Sequence, residues 1–169
     1  SMARLINIIT WLFIGISLIL TALFTIPSLF GYMPYVVLSG SMEPVYPVGS
    51  LIYVAPVDAN SLEPGDAITF DRNDAVVTHQ VYEVNADSKT VMTQGVANVD
   101  SDGSIMHDVE PVSFSQVLGT PVFCIPYLGY VNVFCTTMPG ILIVALVALA
   151  LIAASYTTSG MRRKAAAAQ

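Results

Sequence analysis

Charge is scarce in this sequence: 11% of the residues are Asp, Glu, Lys or Arg, against 54% hydrophobic and a mean hydropathy of +0.69. That balance excludes a wholly soluble globule and puts part of the chain in a membrane. Histidine and cysteine are scarcer still, at two each, with no Cys-x-x-Cys and no paired-His spacing. A structural zinc or a catalytic metal is therefore not expected, and nothing in the composition asks for another cofactor. Cys124 and Cys135 both lie in apolar sequence and read as two free thiols rather than a disulfide. Internal repeats and long linkers are also missing.

What is abundant is uncharged apolar sequence, in two blocks. Leu5 to Ile26 is 22 residues without a charge, about 33 Å as a helix at about 1.5 Å per residue, enough for a hydrocarbon core. Its length, and the absence of a small-x-small site before "IPSLFGYMPY", favour a retained anchor over a removable signal peptide. Ser1 before Met2 reads as a residue left from a cleaved tag and is set aside. The second block, Gly140 to Ala154, is apolar all round. The expected organisation is an N-terminal transmembrane helix over 4–27, a β-rich domain over 33–137, a second transmembrane helix over 138–157 and an irregular tail over 158–169. Arg4 precedes the first span and Arg162, Arg163 and Lys164 follow the second, whereas Arg72 and Lys89 are the only cations between them. Both termini are therefore expected in the cytoplasm, with the middle translocated. That middle holds all twelve carboxylates against two cations, a net charge of −10, which suits neither nucleic acid nor phosphate.

The middle reads as short strands. Residues 50–57, 67–71, 75–84, 89–96 and 116–125 are rich in Val, Ile, Thr, Tyr and Phe, with turn chemistry in "EPGD", "DRND" and "NADSK" between them. No ten-residue stretch there has a helical period.

Residues 38–44 read "LSGSMEP", which could be no more than a turn at the membrane exit. A serine becomes a nucleophile only if something takes its proton, and the side chains available are two histidines, Arg72 and Lys89. His79, in "AVVTHQVYEV", shares a strand face with Val77 and Val81. An imidazole on such a face is costly without a polar partner. The "NVDSDG" cluster at 98–103 offers carboxylates, which could equally be solvated turn residues. Lys89 reads as a solvated turn charge, and His107 as an exposed loop residue.

In order and spacing, "SGSMEPVYPVGSLIYV" (39–54), "GDAITF" (65–70), "VVTHQV" (76–81), "TQGVANVDSD" (93–102) and "GTPVFCIPYLGYV" (119–131) resemble type I signal peptidases. The branch they resemble is the endoplasmic-reticulum type, in which histidine replaces the bacterial lysine. The resemblance implies a membrane-anchored, mainly β protein, with a signal-peptidase-like catalytic domain between two transmembrane helices. It implies Ser41 as nucleophile, His79 as general base, and the Ser39 side chain with the Ser41 backbone N–H as oxyanion hole. The acid expected is Asp102, seven residues after Gly95, with Asp100 as runner-up. The sequence departs from the family at Gln94, where lysine is usual, and at Val96, where an aspartate is usual. The implied activity is that of a serine endopeptidase removing signal peptides during secretion, cutting after small residues at −1 and −3 on the extracytoplasmic face. Its partners would be preprotein signal peptides, the lipid bilayer and the translocation machinery. Two alternatives stay open: a catalytically silent membrane-anchored β-domain, and a processing or assembly factor dedicated to a few surface proteins.

Overall fold

The computed structural model describes residues 2–167; Ser1 and residues 168–169 lie outside the described residues. The chain divides into two units, residues 1–26 with 133–169 and residues 27–132.

The first unit is built on two long helices, α1 (Met2–Leu29) and α3 (Gly140–Ala167). Their apolar windows have mean hydropathies of 2.3 and 2.4, and both are long and apolar enough to cross a membrane. A helix satisfies its own backbone hydrogen bonds, which lipid cannot do for it. Thr10 of α1 and Ser155 of α3 lie with their hydroxyls 3.3 Å apart. Helix α3 continues through the cationic stretch to Ala167, so the tail is not irregular over its described part. Arginine, lysine and above all alanine are strong helix formers, and they extend the helix that precedes them.

The second unit is an antiparallel sheet. Its strands are β1 (Met33–Val36), β2 (Leu51–Ala55), β3 (Ala67–Arg72), β4 (Ala75–Asn85), β5 (Thr90–Val99), β6 (Ile105–His107), β7 (Val112–Ser113) and β8 (Val117–Ile125). They lie in the order β1-β2-β8-β3-β4-β5-β6, with β7 paired to β5. The five strands read from composition all form. The three that were not read are two to four residues long and have little sequence of their own to signal them. Helix α2 (Leu128–Thr136) also escaped, being nine residues long and carrying no clear amphipathic stripe.

Two positions show how the sequence drives the sheet. Strand β2 buries Leu51, Ile52, Tyr53 and Val54 in succession, the pattern of a strand covered on both faces. Strand β4 buries alternately, with His79 and Val81 inward and Glu83 exposed. The core gathers Leu62, Ile68, Phe70, Val81, Val91 and Val112. Phe70 is fully buried, and its ring stands edge-on to the His79 imidazole with centroids 6.4 Å apart. The core thus forms the floor on which the polar site rests.

Candidate active site

Ser41 sits in the turn-rich connection between β1 and β2, held from both sides. The next residue, Met42, is buried and roots the turn in the domain. Glu43 N–H donates to the Gly40 carbonyl and Tyr46 N–H to that of Met42, at 3.1 and 3.0 Å. From the sheet, the Ala97 N–H donates to the Ser41 carbonyl at 2.9 Å. This approach depends on Gly95, because a Cβ there would stand 2.9 Å from Ser41 Cβ and 2.5 Å from Asn98 Nδ2.

His79 projects from β4 on the buried face, as the alternation of the strand requires, and is 8% exposed. Its cost of burial is met by two partners. Nε2 lies 3.1 Å from Ser41 Oγ, and Nδ1 lies 2.7 Å from Asp108 Oδ2. An ionised carboxylate can only accept, so Nδ1 carries the proton and the Nε2 lone pair faces the Ser41 hydroxyl. Thr93 Oγ1 donates to the same Asp108 oxygen at 2.5 Å. Thr93 is placed by register: it pairs with Val81 across β4 and β5, which puts its side chain on the His79 face.

The carboxylate on His79 is thus Asp108, which corrects the expectation of Asp102 or Asp100. Asp102 is exposed and satisfied within its own turn, accepting from Ser104 Oγ at 2.6 Å and Ser104 N–H at 2.9 Å. Those two hydrogen bonds, the side-chain one first, hold its carboxyl below the usual range. Asp100 likewise accepts from the Ser101 N–H at 2.6 Å. Residues 100–103 form the tip of the β5–β6 hairpin, with Asp100 N–H bonded to Ser104 O and Gly103 N–H to Asp100 O. The chain then returns beside β5, where Gln94 pairs with His107, and the Asp108 N–H donates to Thr93 O at 2.8 Å. The readable signal was the Asp-Ser-Asp-Gly turn itself, since a hairpin there brings the next carboxylate back toward β4.

The other expected residues fall as follows. The Ser39 hydroxyl lies 3.4 Å from Ser41 Oγ, at the mouth of the site. Gln94, at the position of the expected lysine, hydrogen-bonds Gln80 at 3.2 Å. Lys89 is exposed in its turn. His107 is exposed too, but lies on β6 rather than in a loop, stacked on Tyr82 with centroids 3.9 Å apart. Cys124 and Cys135 are unpaired and half-buried. Among the described residues, no group of three or more His, Cys, Asp or Glu could hold a metal ion.

Beside Ser41 opens a cavity of about 130 Å³, walled by Val36, Leu38, Met42, Tyr46, Ile52 and Val77. Burial, and secondarily the Cys124 thiol, push the Tyr46 phenol above its ordinary range, so this wall is uncharged. A serine hydroxyl, an imidazole whose Nε2 lone pair faces it, a carboxylate on Nδ1 and a small cavity of mixed polar and apolar lining therefore stand together. Such a set has the geometry for acyl transfer.

No family model matches the chain. It is similar to Signal peptidase I W of Bacillus subtilis, with 41% identity over 87 residues, 48% of this chain and 45% of that protein. It is also similar to the Signal peptidase complex catalytic subunit SEC11 of Colletotrichum graminicola, with 29% identity over 110 residues, 62% of this chain and 64% of that protein. With the catalytic subunit SEC11C of Homo sapiens it shares 30% identity over 111 residues, 62% of this chain and 57% of that protein. The match therefore spans about half to under two thirds of these relatives.

Proposed function

We propose that this chain, similar over part of its length to Signal peptidase I W and the SEC11 subunits, is a type I signal peptidase, a membrane-bound serine endopeptidase that removes signal peptides from translocated preproteins. The observation that carries this is the line of contacts from Asp108 through both nitrogens of His79 to Ser41 Oγ.

In the first step His79 Nε2 takes the Ser41 proton as Oγ attacks the carbonyl of the −1 residue. Asp108 holds the ring in its tautomer and offsets the positive charge of the imidazolium. In this reading the Ser41 backbone N–H and the Ser39 hydroxyl, 3.4 Å from Ser41 Oγ, stabilise the oxyanion. The imidazolium then returns its proton to the leaving amine, and water hydrolyses the acyl-enzyme by the same route. The cavity beside Ser41 supports small residues at −1 and −3, since a bulky side chain would have to displace Met42 or Tyr46. The arrangement of charges around the two apolar helices supports cytoplasmic termini and an extracytoplasmic site.

The test uses the full chain in detergent with a model preprotein, the product N-terminus being read by mass spectrometry. Cleavage at one site after a small residue, lost by several orders of magnitude in Ser41→Ala, is the expected result. Undiminished cleavage by Ser41→Ala overturns the mechanism, and no cleavage by the wild type favours a silent binding domain.

A further inference from the structure

Asp108 stands on irregular chain between β6 and β7, yet the proposed chemistry needs it fixed to within a fraction of an ångström of His79. Its backbone is tied to Thr93, but residues 109–111 that follow lie in no strand, and Val109 is 92% exposed. Besides His79 and Thr93, which meet the Asp108 carboxylate, a further side chain reaches this segment from outside it. Arg72, the last residue of β3, places Nη1 3.6 Å from Asp108 Oδ2 and donates from Nη2 to the Glu110 carbonyl at 3.1 Å. Its guanidinium carbon lies 5.0 Å from the centre of the Phe70 ring, the same ring that meets His79 edge-on. Arg72 is also one of only two cations between the apolar blocks, and the other, Lys89, is exposed in its turn.

We propose that Arg72 is a positioning residue for the reaction, a strut that holds the Asp108 segment against β3 and presents a fixed positive charge to the acid. The proposal rests on the reading of Ser41, His79 and Asp108 as a catalytic triad. The contact to Asp108 is too long for a hydrogen bond and acts as a charge contact, while the contact to Glu110 is a hydrogen bond that fixes the loop. The Arg72 and Asp108 side chains are 24% and 13% exposed. In that half-buried setting a carboxylate accepting only from an imidazole and a hydroxyl pays for desolvation, and a cation at 3.6 Å offsets part of the cost. A planar fork over an aromatic face is suited to doing both at once; a lysine could supply the charge but not the two fixed arms.

The experiment measures kcat and KM for preprotein cleavage by the full chain in detergent. The variants are Arg72→Gln and Arg72→Lys, each alone and combined with Asp108→Asn, with Ser41→Ala as reference. Arg72→Gln is expected to lower kcat by about ten- to a hundredfold, the range for outer partners that orient a functional group, with KM changed by less than about twofold. Arg72→Lys should recover part of that loss. In the Asp108→Asn background either change should cost less than about twofold, because the group being positioned is already gone. A purely structural arginine would cost the same in both backgrounds, and that result overturns the proposal, as does wild-type kcat in Arg72→Gln. If Arg72→Gln melts below the assay temperature, Arg72→Lys carries the same comparison: a loss confined to the wild-type background supports the strut, and an equal loss in both refutes it. Failure of the triad reading would look different, since Ser41→Ala would then retain cleavage.

Discussion

Replacing Asp108 by Asn removes one charge and almost no volume, which makes it the sharpest perturbation of the site. Asp108 Oδ2 receives His79 Nδ1 at 2.7 Å and Thr93 Oγ1 at 2.5 Å, and faces Arg72 at 3.6 Å. An amide oxygen could keep the Thr93 and His79 contacts only by turning its NH2 elsewhere. An amide nitrogen facing His79 would instead force the proton onto Nε2, the wrong tautomer for accepting from Ser41. Even in the favourable orientation the imidazolium loses the carboxylate that stabilises it. The expected loss is about 10² to 10⁴ in kcat, on the scale known for triad acids, or about 2.7 to 5.4 kcal/mol in the barrier at about 1.36 kcal/mol per tenfold. KM should change little, because Asp108 does not line the cavity beside Ser41. Asp102→Asn is the control: its carboxylate serves only Ser104, so turnover should stay within about threefold of wild type, a surface-turn change costing about 0.5 kcal/mol or less. Single-turnover cleavage of a model preprotein, with circular dichroism to show that both variants are folded, decides the matter. Full activity in Asp108→Asn with a large loss in Asp102→Asn would refute the assignment. Full activity in both would leave a Ser41–His79 dyad.

Other expectations follow from single contacts. Gly95→Ala puts a Cβ 2.9 Å from Ser41 Cβ; displacing the nucleophile by a fraction of an ångström to 1 Å should cost turnover by about 10²-fold, and a wild-type rate would mean that the turn yields freely. Phe70→Ala empties the centre of the core and should lower the stability of the sheet unit by about 3–5 kcal/mol, read by denaturant unfolding in detergent; a loss under about 1 kcal/mol would contradict the burial described. For topology, Cys124 and Cys135 are first replaced by serine, and single cysteines are then introduced. One at Asn73 should be labelled from outside intact cells, and one following Lys164 only after the cytoplasmic side is opened. Finding them on the same side would remove the two-anchor arrangement.

Local sequence was enough to single out Ser41 and His79 as candidates, and the resemblance supplied the roles expected of them. The strand alternation around Val77, His79 and Val81 sets an imidazole on a buried face, where only a polar partner can make it tolerable, and the serine-rich turn is the one unexplained polar segment near an apolar exit. The two apolar blocks and the five longer strands are likewise properties of contiguous residues, so composition and periodicity reveal them. Spacing along the chain did not point to the carboxylate that meets His79, because its position depends on pairing between segments that are distant in the chain. Residues 100–103 turn the hairpin, the β5–β6 ladder is irregular between Gln94 and Val99, and the returning strand sets Asp108 against Thr93. Counting from Gly95 along one strand points instead to Asp102, whose carboxylate ends in its own turn. Arg72 was visible only as a lone cation in "DRND". Its role emerges because β3 lies beside β4 in the sheet, so the end of one strand reaches the loop that serves a residue on the other. Sequence specified the chemistry of individual side chains, and the antiparallel register determined which of them meet.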